Sequence, residues 1–119
     1  MRDHNQLIAF QLADEIALKT SKITKQFPKE EIYGLVSQMR WAVFSVPSNI
    51  VEGCPRESQT EYLRFLEIAF ASFRDLHYHF NLAALLIYIS ESDAIACESK
   101  LEEMKKYLVY LLGSLWKSA

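Results

Sequence analysis

The stretch from Phe27 to Gly53, FPKEEIYGLVSQMRWAVFSVPSNIVEG, constrains the fold more than any other part of the chain. Pro28 suits the first turn of a helix, where a missing N–H is no loss. Glu30 and Glu31 follow where the helix dipole favours negative charge. Ile32, Leu35, Met39, Ala42 and Val46 recur at steps of three and four, which marks one helix face. Val36, Trp41, Val43 and Phe44 widen the apolar arc, so the helix is expected to be covered on more than one side. Gly34 is either a weak point of about 1 kcal/mol relative to Ala or a place where another backbone comes close.

Pro47 interrupts this pattern. In a helix it removes the bond to the Val43 carbonyl and crowds it, at roughly 3 kcal/mol. Ile50 and Val51 nevertheless extend the apolar faces, and Gly53 is the better stop. The expectation is a helix kinked near Pro47 that continues to Gly53. Ser45, Ser48, Asn49 and Glu52 surround the proline. The plain reading is that short polar groups satisfy the backbone freed by a kink. The sharper reading is a polar pocket or a partner-binding notch.

At 119 residues the chain is expected to form one domain, 1–119. Half of it is hydrophobic, with only three glycines and three prolines, which suits long helices with short connections. The net charge of −2 does not advertise nucleic-acid binding, which usually shows as a basic domain. No apolar run approaches the roughly 18 residues of a membrane span, and the N-terminus lacks a signal-peptide pattern. Cys54 and Cys97 have no metal-type spacing. Reduced thiols and a cytoplasmic location follow as expectations.

Four helices are expected, over about 5–26, 29–53, 58–89 and 93–116. In the first, Leu12, Ile16, Ile23 and Phe27 share a face, and Asp3 or Asn5 supplies a cap. Lys19, Lys22, Lys25 and Lys29 fall within an arc of about 120°. They form either a solvated face at a helix C-terminus or a phosphate-contact strip.

Ser58 and Glu61 make a capping box for the third helix. Its seam is Tyr62, Phe65 or Leu66, Ala69, Phe73, Leu76, Phe80, Ala83 and Ile87. Leu63, Phe70, Leu82 and Leu86 lie off that seam, a surplus that points to a subunit interface. Ser90 to Asp93 is a break and cap. The last helix carries Cys97, Leu101, Met104, Leu108, Leu111 and Leu115 in heptad spacing. The fold class is all-α, an antiparallel up-down-up-down four-helix bundle.

Familiar catalytic patterns are missing. No Glu-x-x-His pair suits a di-iron bundle, and there is no Gly-rich phosphate loop, H-E-x-x-H or G-x-S-x-G. Glu98 and Glu102 share a helix face, but no second acidic pair opposes them. His77 and His79, two apart on a helix, cannot grip one metal together. No catalytic, cofactor or metal residue is assigned, and the chain is expected not to be an enzyme.

FPKEE, YGLVSQMR, SVPSNIVEG and FLEIAFAS, in that order and spacing, resemble the four-helix bundle family encoded in intervening sequences of bacterial 23S ribosomal RNA genes. That family is in turn similar to the accessory variability proteins of diversity-generating retroelements. The likeness runs from about Leu12 to Tyr88 and more loosely onward. Its most specific part is Ser45-x-Pro47-Ser48-Asn49-Ile50-x-Glu52-Gly53. Trp41 stands where a second basic residue is frequent, Cys54-Pro55 replaces a more usual aromatic or small pair, Ala71 replaces a common Gly and Asp75 a common Glu.

The resemblance implies homopentamers and a link to RNA or to a reverse transcriptase partner. Lys19, Lys22, Lys25, Lys29, Arg40 and Arg56 are then the candidate nucleic-acid contacts, and with this net charge binding is expected only if they gather on one surface. Trp41, Phe44, Phe70 and Tyr110 are the candidate oligomer contacts. Ser45, Pro47, Ser48, Asn49, Glu52 and Gly53 are a structural motif. The expected function is a non-catalytic oligomeric bundle associated with nucleic acid. The alternative is a protein–protein scaffold without nucleic-acid contact.

Overall fold

The computed structural model describes residues 2–118, the side chain of Ser118 excepted. The first helix begins later than the sequence suggests. Asp3 caps a short 3-10 turn, His4–Gln6, by accepting from the Asn5 N–H at 3.0 Å. Leu7 is then extended, and α1 runs over Ile8–Thr24. The Gln11 side chain reaches back to the Asn5 carbonyl at 2.8 Å, bridging the break. Leu12, Ile16, Ile23 and Phe27 are all buried.

The start of the second helix also moves. Pro28 opens a second 3-10 turn, Lys29–Glu31, and Gly34 (φ −108°, ψ −108°) lies outside helical geometry. Helix α2 therefore spans Leu35–Gly53. The expectation that Ile32 shares the buried face fails for this reason: Ile32 is 51% exposed and Tyr33 95%. Beyond the break the pattern holds, with Met39, Val43, Val46 and Ile50 at most 1% exposed. The helix passes through Pro47 and carries on to Gly53.

Gly53 does not end the helix through left-handed backbone, since no glycine has positive φ. It is small because α3 lies against it: a Cβ there would sit 2.8 Å from Phe65 Cβ and 3.2 Å from Tyr62 Cδ1.

Helix α3 covers Gln59–Leu85, and Ser58 Oγ accepts from the Glu61 N–H at 3.3 Å. Tyr62, Leu66, Ala69, Phe73, Leu76, Phe80 and Ala83 form its buried face. Ile87 does not join them. The helix ends in a Schellman-type closure, with Tyr88 N–H on the Ala83 carbonyl and Ile87 N–H on the Ala84 carbonyl, both at 3.0 Å. Ile87 takes the left-handed position at φ 62° and is 86% exposed. Glycine normally fills that position, and a β-branched residue there is strained.

Helix α4 covers Glu91–Ser118, and Ser90 Oγ accepts from the Asp93 N–H at 3.2 Å. Cys97, Leu101, Met104 and Leu108 are buried as spaced, but the seam then shifts. Leu112 is buried, while Leu111 and Leu115 only flank the core. A straight helix at about 3.6 residues per turn drifts off a seven-residue repeat in this way.

The four helices make an antiparallel bundle. Each packs on its neighbour in sequence, most extensively α2 on α3, and α4 closes against α1. Lys100 of α4 meets Glu15 of α1 at 3.2 Å. Each end of the bundle has its own tie. At one end Arg2 donates to the carbonyls of Cys54 (3.3 Å) and Arg56 (2.6 Å), with its guanidinium 3.9 Å from the Tyr62 ring centroid. At the other end the Tyr88 hydroxyl donates to Glu31 at 2.9 Å, and its ring packs on Phe27.

Candidate functional site

The residues around Pro47 divide by direction. Ser45 points across to α3, where its Oγ accepts from the Ser72 hydroxyl at 2.8 Å. Asn49, one turn on, donates its amide to Ser45 Oγ (3.0 Å) and to the Ser45 carbonyl (2.8 Å). Pro47 is half-buried and Gly53 buried, whereas Ser48 and Glu52 are exposed. Two hydroxyls and an amide thus bond one another inside the contact between α2 and α3.

Next to Gly53 the chemistry is that of burial. Both cysteines are free and buried. Burial pushes the Cys54 thiol above its ordinary range and carries the Tyr62 hydroxyl up to about 12. Burial raises the Cys97 thiol as well. Low thiolate content makes both cysteines poor nucleophiles.

The six basic residues do not gather on one surface. Lys22, Lys25 and Lys29 are exposed around the C-terminal end of α1. Lys19 is half-buried and lies close enough to Cys97 to act on its thiol, so it faces α4. Arg40 is exposed in the second turn of α2. Arg56 lies past the far end of α2, which at about 1.5 Å per residue is close to 30 Å from the Lys29 end. Its guanidinium covers the Phe65 ring at 4.9 Å.

The aromatic candidates are spread likewise. Trp41 and Phe44 are exposed on α2 beside Arg40, at 78% and 49%. Tyr110, 76% exposed, flanks an apolar groove with Leu7, Ile8, Tyr107 and Leu111 where α4 meets the start of α1. Phe70 is half-buried against the core, its ring 6.0 Å from that of Phe73.

One constellation escaped the sequence reading. His77 of α3 places Nε2 2.9 and 3.0 Å from the two carboxylate oxygens of Glu98 on α4. Glu102, one turn along α4, brings an oxygen into the same cluster, all donor atoms lying within 4.8 Å of one another. His79 instead bonds its own helix, with Nδ1 2.8 Å from the Asp75 carbonyl. The signal was available: in an antiparallel pair joined by a tight turn at Ile87 and Tyr88, residues nearly equidistant from the turn face each other, as His77 and Glu98 do.

Four helices in this order, with the Ser45–Gly53 motif on the second, define a compact antiparallel helical-bundle class of protein. The chain belongs to the 23S rRNA-intervening sequence protein family, whose model matches residues 5–110. It is also similar to a crystal structure from Bacteroides thetaiotaomicron VPI-5482, described as a protein with unknown function from the S23 ribosomal protein family. The TM-score is 0.81 over 88% of this chain and 98% of that one, at 18% identity, a likeness that shows the fold. No curated protein matches the chain. Among the described residues, no helix is long and apolar enough to cross a membrane.

Proposed function

We propose that the chain is a non-catalytic, oligomeric helical bundle that associates with structured RNA as an accessory protein. The observation that carries this reading is the group Lys22, Lys25 and Lys29. All three are exposed at one end of the bundle, and none is in an ion pair among the described residues. Unpaired cations close together are what phosphate contacts require. Trp41 and Tyr110, both more than three-quarters exposed, supply apolar surface for self-assembly. A homopentamer would repeat the lysine group around a ring, so that one RNA meets it several times. A reverse transcriptase, the partner type that the resemblance to retroelement accessory proteins implies, would dock on the same assembly. The cytoplasm, where RNA of this kind is found, is the corresponding location.

Sedimentation velocity with a labelled structured RNA, at low and at physiological salt, tests the reading. Co-sedimentation that weakens with salt and disappears in a Lys22→Glu, Lys25→Glu double variant of unchanged fold is expected. RNA binding that survives the double reversal would remove this surface from consideration.

A second reading, a protein-only scaffold, is favoured by the net charge of −2, which works against non-specific phosphate binding. It predicts a species heavier than the monomer that leaves the RNA behind at both salts.

A further inference from the structure

We propose that His77, Glu98 and Glu102 form a binding site for a first-row divalent cation of the zinc type, clipping α4 to α3. The site is independent of the RNA reading. An ion pair between His77 and Glu98 accounts for only two of the three groups. Glu102 stands one turn from Glu98 on the same face, and like charges at that spacing repel. Glu102 also has no ion pair among the described residues. A histidine supplies at most one positive charge against two carboxylates, whereas a divalent ion balances both.

The donors come from two helices and are of mixed type. One imidazole nitrogen and two carboxylate oxygens suit zinc and its neighbours, while magnesium and calcium prefer oxygen alone. Zinc holds such ligands at about 2.0–2.2 Å in a tetrahedron, which sets neighbouring donors about 3.4 Å apart. His77 Nε2 and the Glu98 oxygens, at 2.9 and 3.0 Å, need only separate slightly. Glu102 must close a gap of at most 4.8 Å, and its exposed side chain is free to swing.

The imidazole is already positioned. Its side chain is 18% exposed, and its ring packs at 5.7 Å on Phe73. Nε2 faces the Glu98 carboxylate, where a metal ion would take the place of their hydrogen bond. Three protein ligands leave a coordination position for water. Arg74 and Lys105 flank the cleft on the His77 side, so the ion must compete with their field.

The test uses chelator-treated full-length protein titrated calorimetrically with zinc chloride, with cobalt absorption as a spectroscopic readout. One saturable equivalent, a tetrahedral-type visible cobalt spectrum and a melting temperature raised by zinc are expected. Glu102→Gln leaves the His77–Glu98 pair in place, and by relieving the repulsion with Glu98 it should leave the metal-free melting temperature unchanged or slightly raised. It should weaken zinc binding by about tenfold or more, the loss typical even of outer-shell changes. Equal binding by wild type and variant, or no saturable binding up to millimolar zinc, would overturn the proposal.

Discussion

Gly53 and Phe65 are in contact without a side chain between them: a methyl group on Gly53 would sit 2.8 Å from Phe65 Cβ. Phe65 Cβ is fixed to the α3 backbone, so relief requires the two helices to move apart.

Gly53→Ala is therefore expected to destabilise the fold. Overpacking of this kind costs about 1–3 kcal/mol, offset by up to about 1 kcal/mol of helix propensity. Urea unfolding would show a lower midpoint. If Gly53 served only as a helix stop, the alanine would be neutral or stabilising.

Ile87→Gly should act in the opposite direction. A left-handed non-glycine residue carries a strain of roughly 1–2 kcal/mol, and the Ile87 side chain is 86% exposed, so removing it sacrifices little burial. A net gain of about 1 kcal/mol remains after the entropy of the more flexible unfolded chain. A melting temperature at or below wild type would mean that contacts of the Ile87 side chain outweigh its backbone strain.

The hydroxyl pair between α2 and α3 makes an asymmetric prediction. Ser72→Ala removes one hydrogen bond, worth about 1 kcal/mol net. Ser45→Ala takes the shared acceptor from both the Ser72 hydroxyl and the Asn49 amide, so it should cost about twice as much. Equal losses in denaturant unfolding would contradict the bonding described.

Tyr62 links stability to alkaline pH. Its folded pKa is raised from 10 to about 12, so the folded state holds this proton more tightly than the unfolded chain. The associated stability is complete below pH 10 and declines as pH rises toward about 12. A Tyr62→Phe variant should show a flatter unfolding midpoint over that window, measured by circular dichroism. An unchanged slope would mean that Tyr62 is not the group responsible.

The bundle was readable because its helices carry strong local signals: Ser58 caps α3 as its sequence implies, and Met39, Val46 and Ile50 keep helical spacing through Pro47. The failures sit where local spacing is overruled by chain reversal. Ile32 fits the α2 face by position, but α2 begins only after the break at Gly34, two residues further on. Ile87 fits the α3 seam, but the turn into α4 is built on a left-handed residue, and no glycine marks the place. Leu112 is buried in place of Leu111, as expected where a helix of about 3.6 residues per turn drifts off a seven-residue repeat. The His77 cluster was hidden for another reason. His77 is 21 positions from Glu98, and only the register of α3 against α4 brings it to the Glu98–Glu102 pair.

Glu31 serves two elements at once, with Oε1 accepting from the Leu35 N–H at 3.4 Å and Oε2 from the Tyr88 hydroxyl at 2.9 Å. The first turn of α2 and the hairpin joining α3 to α4 therefore share one hinge pin. Loosening that hairpin releases the opening turn of α2 as well, so amide protons at both places should exchange with solvent at matched rates, as one breathing unit.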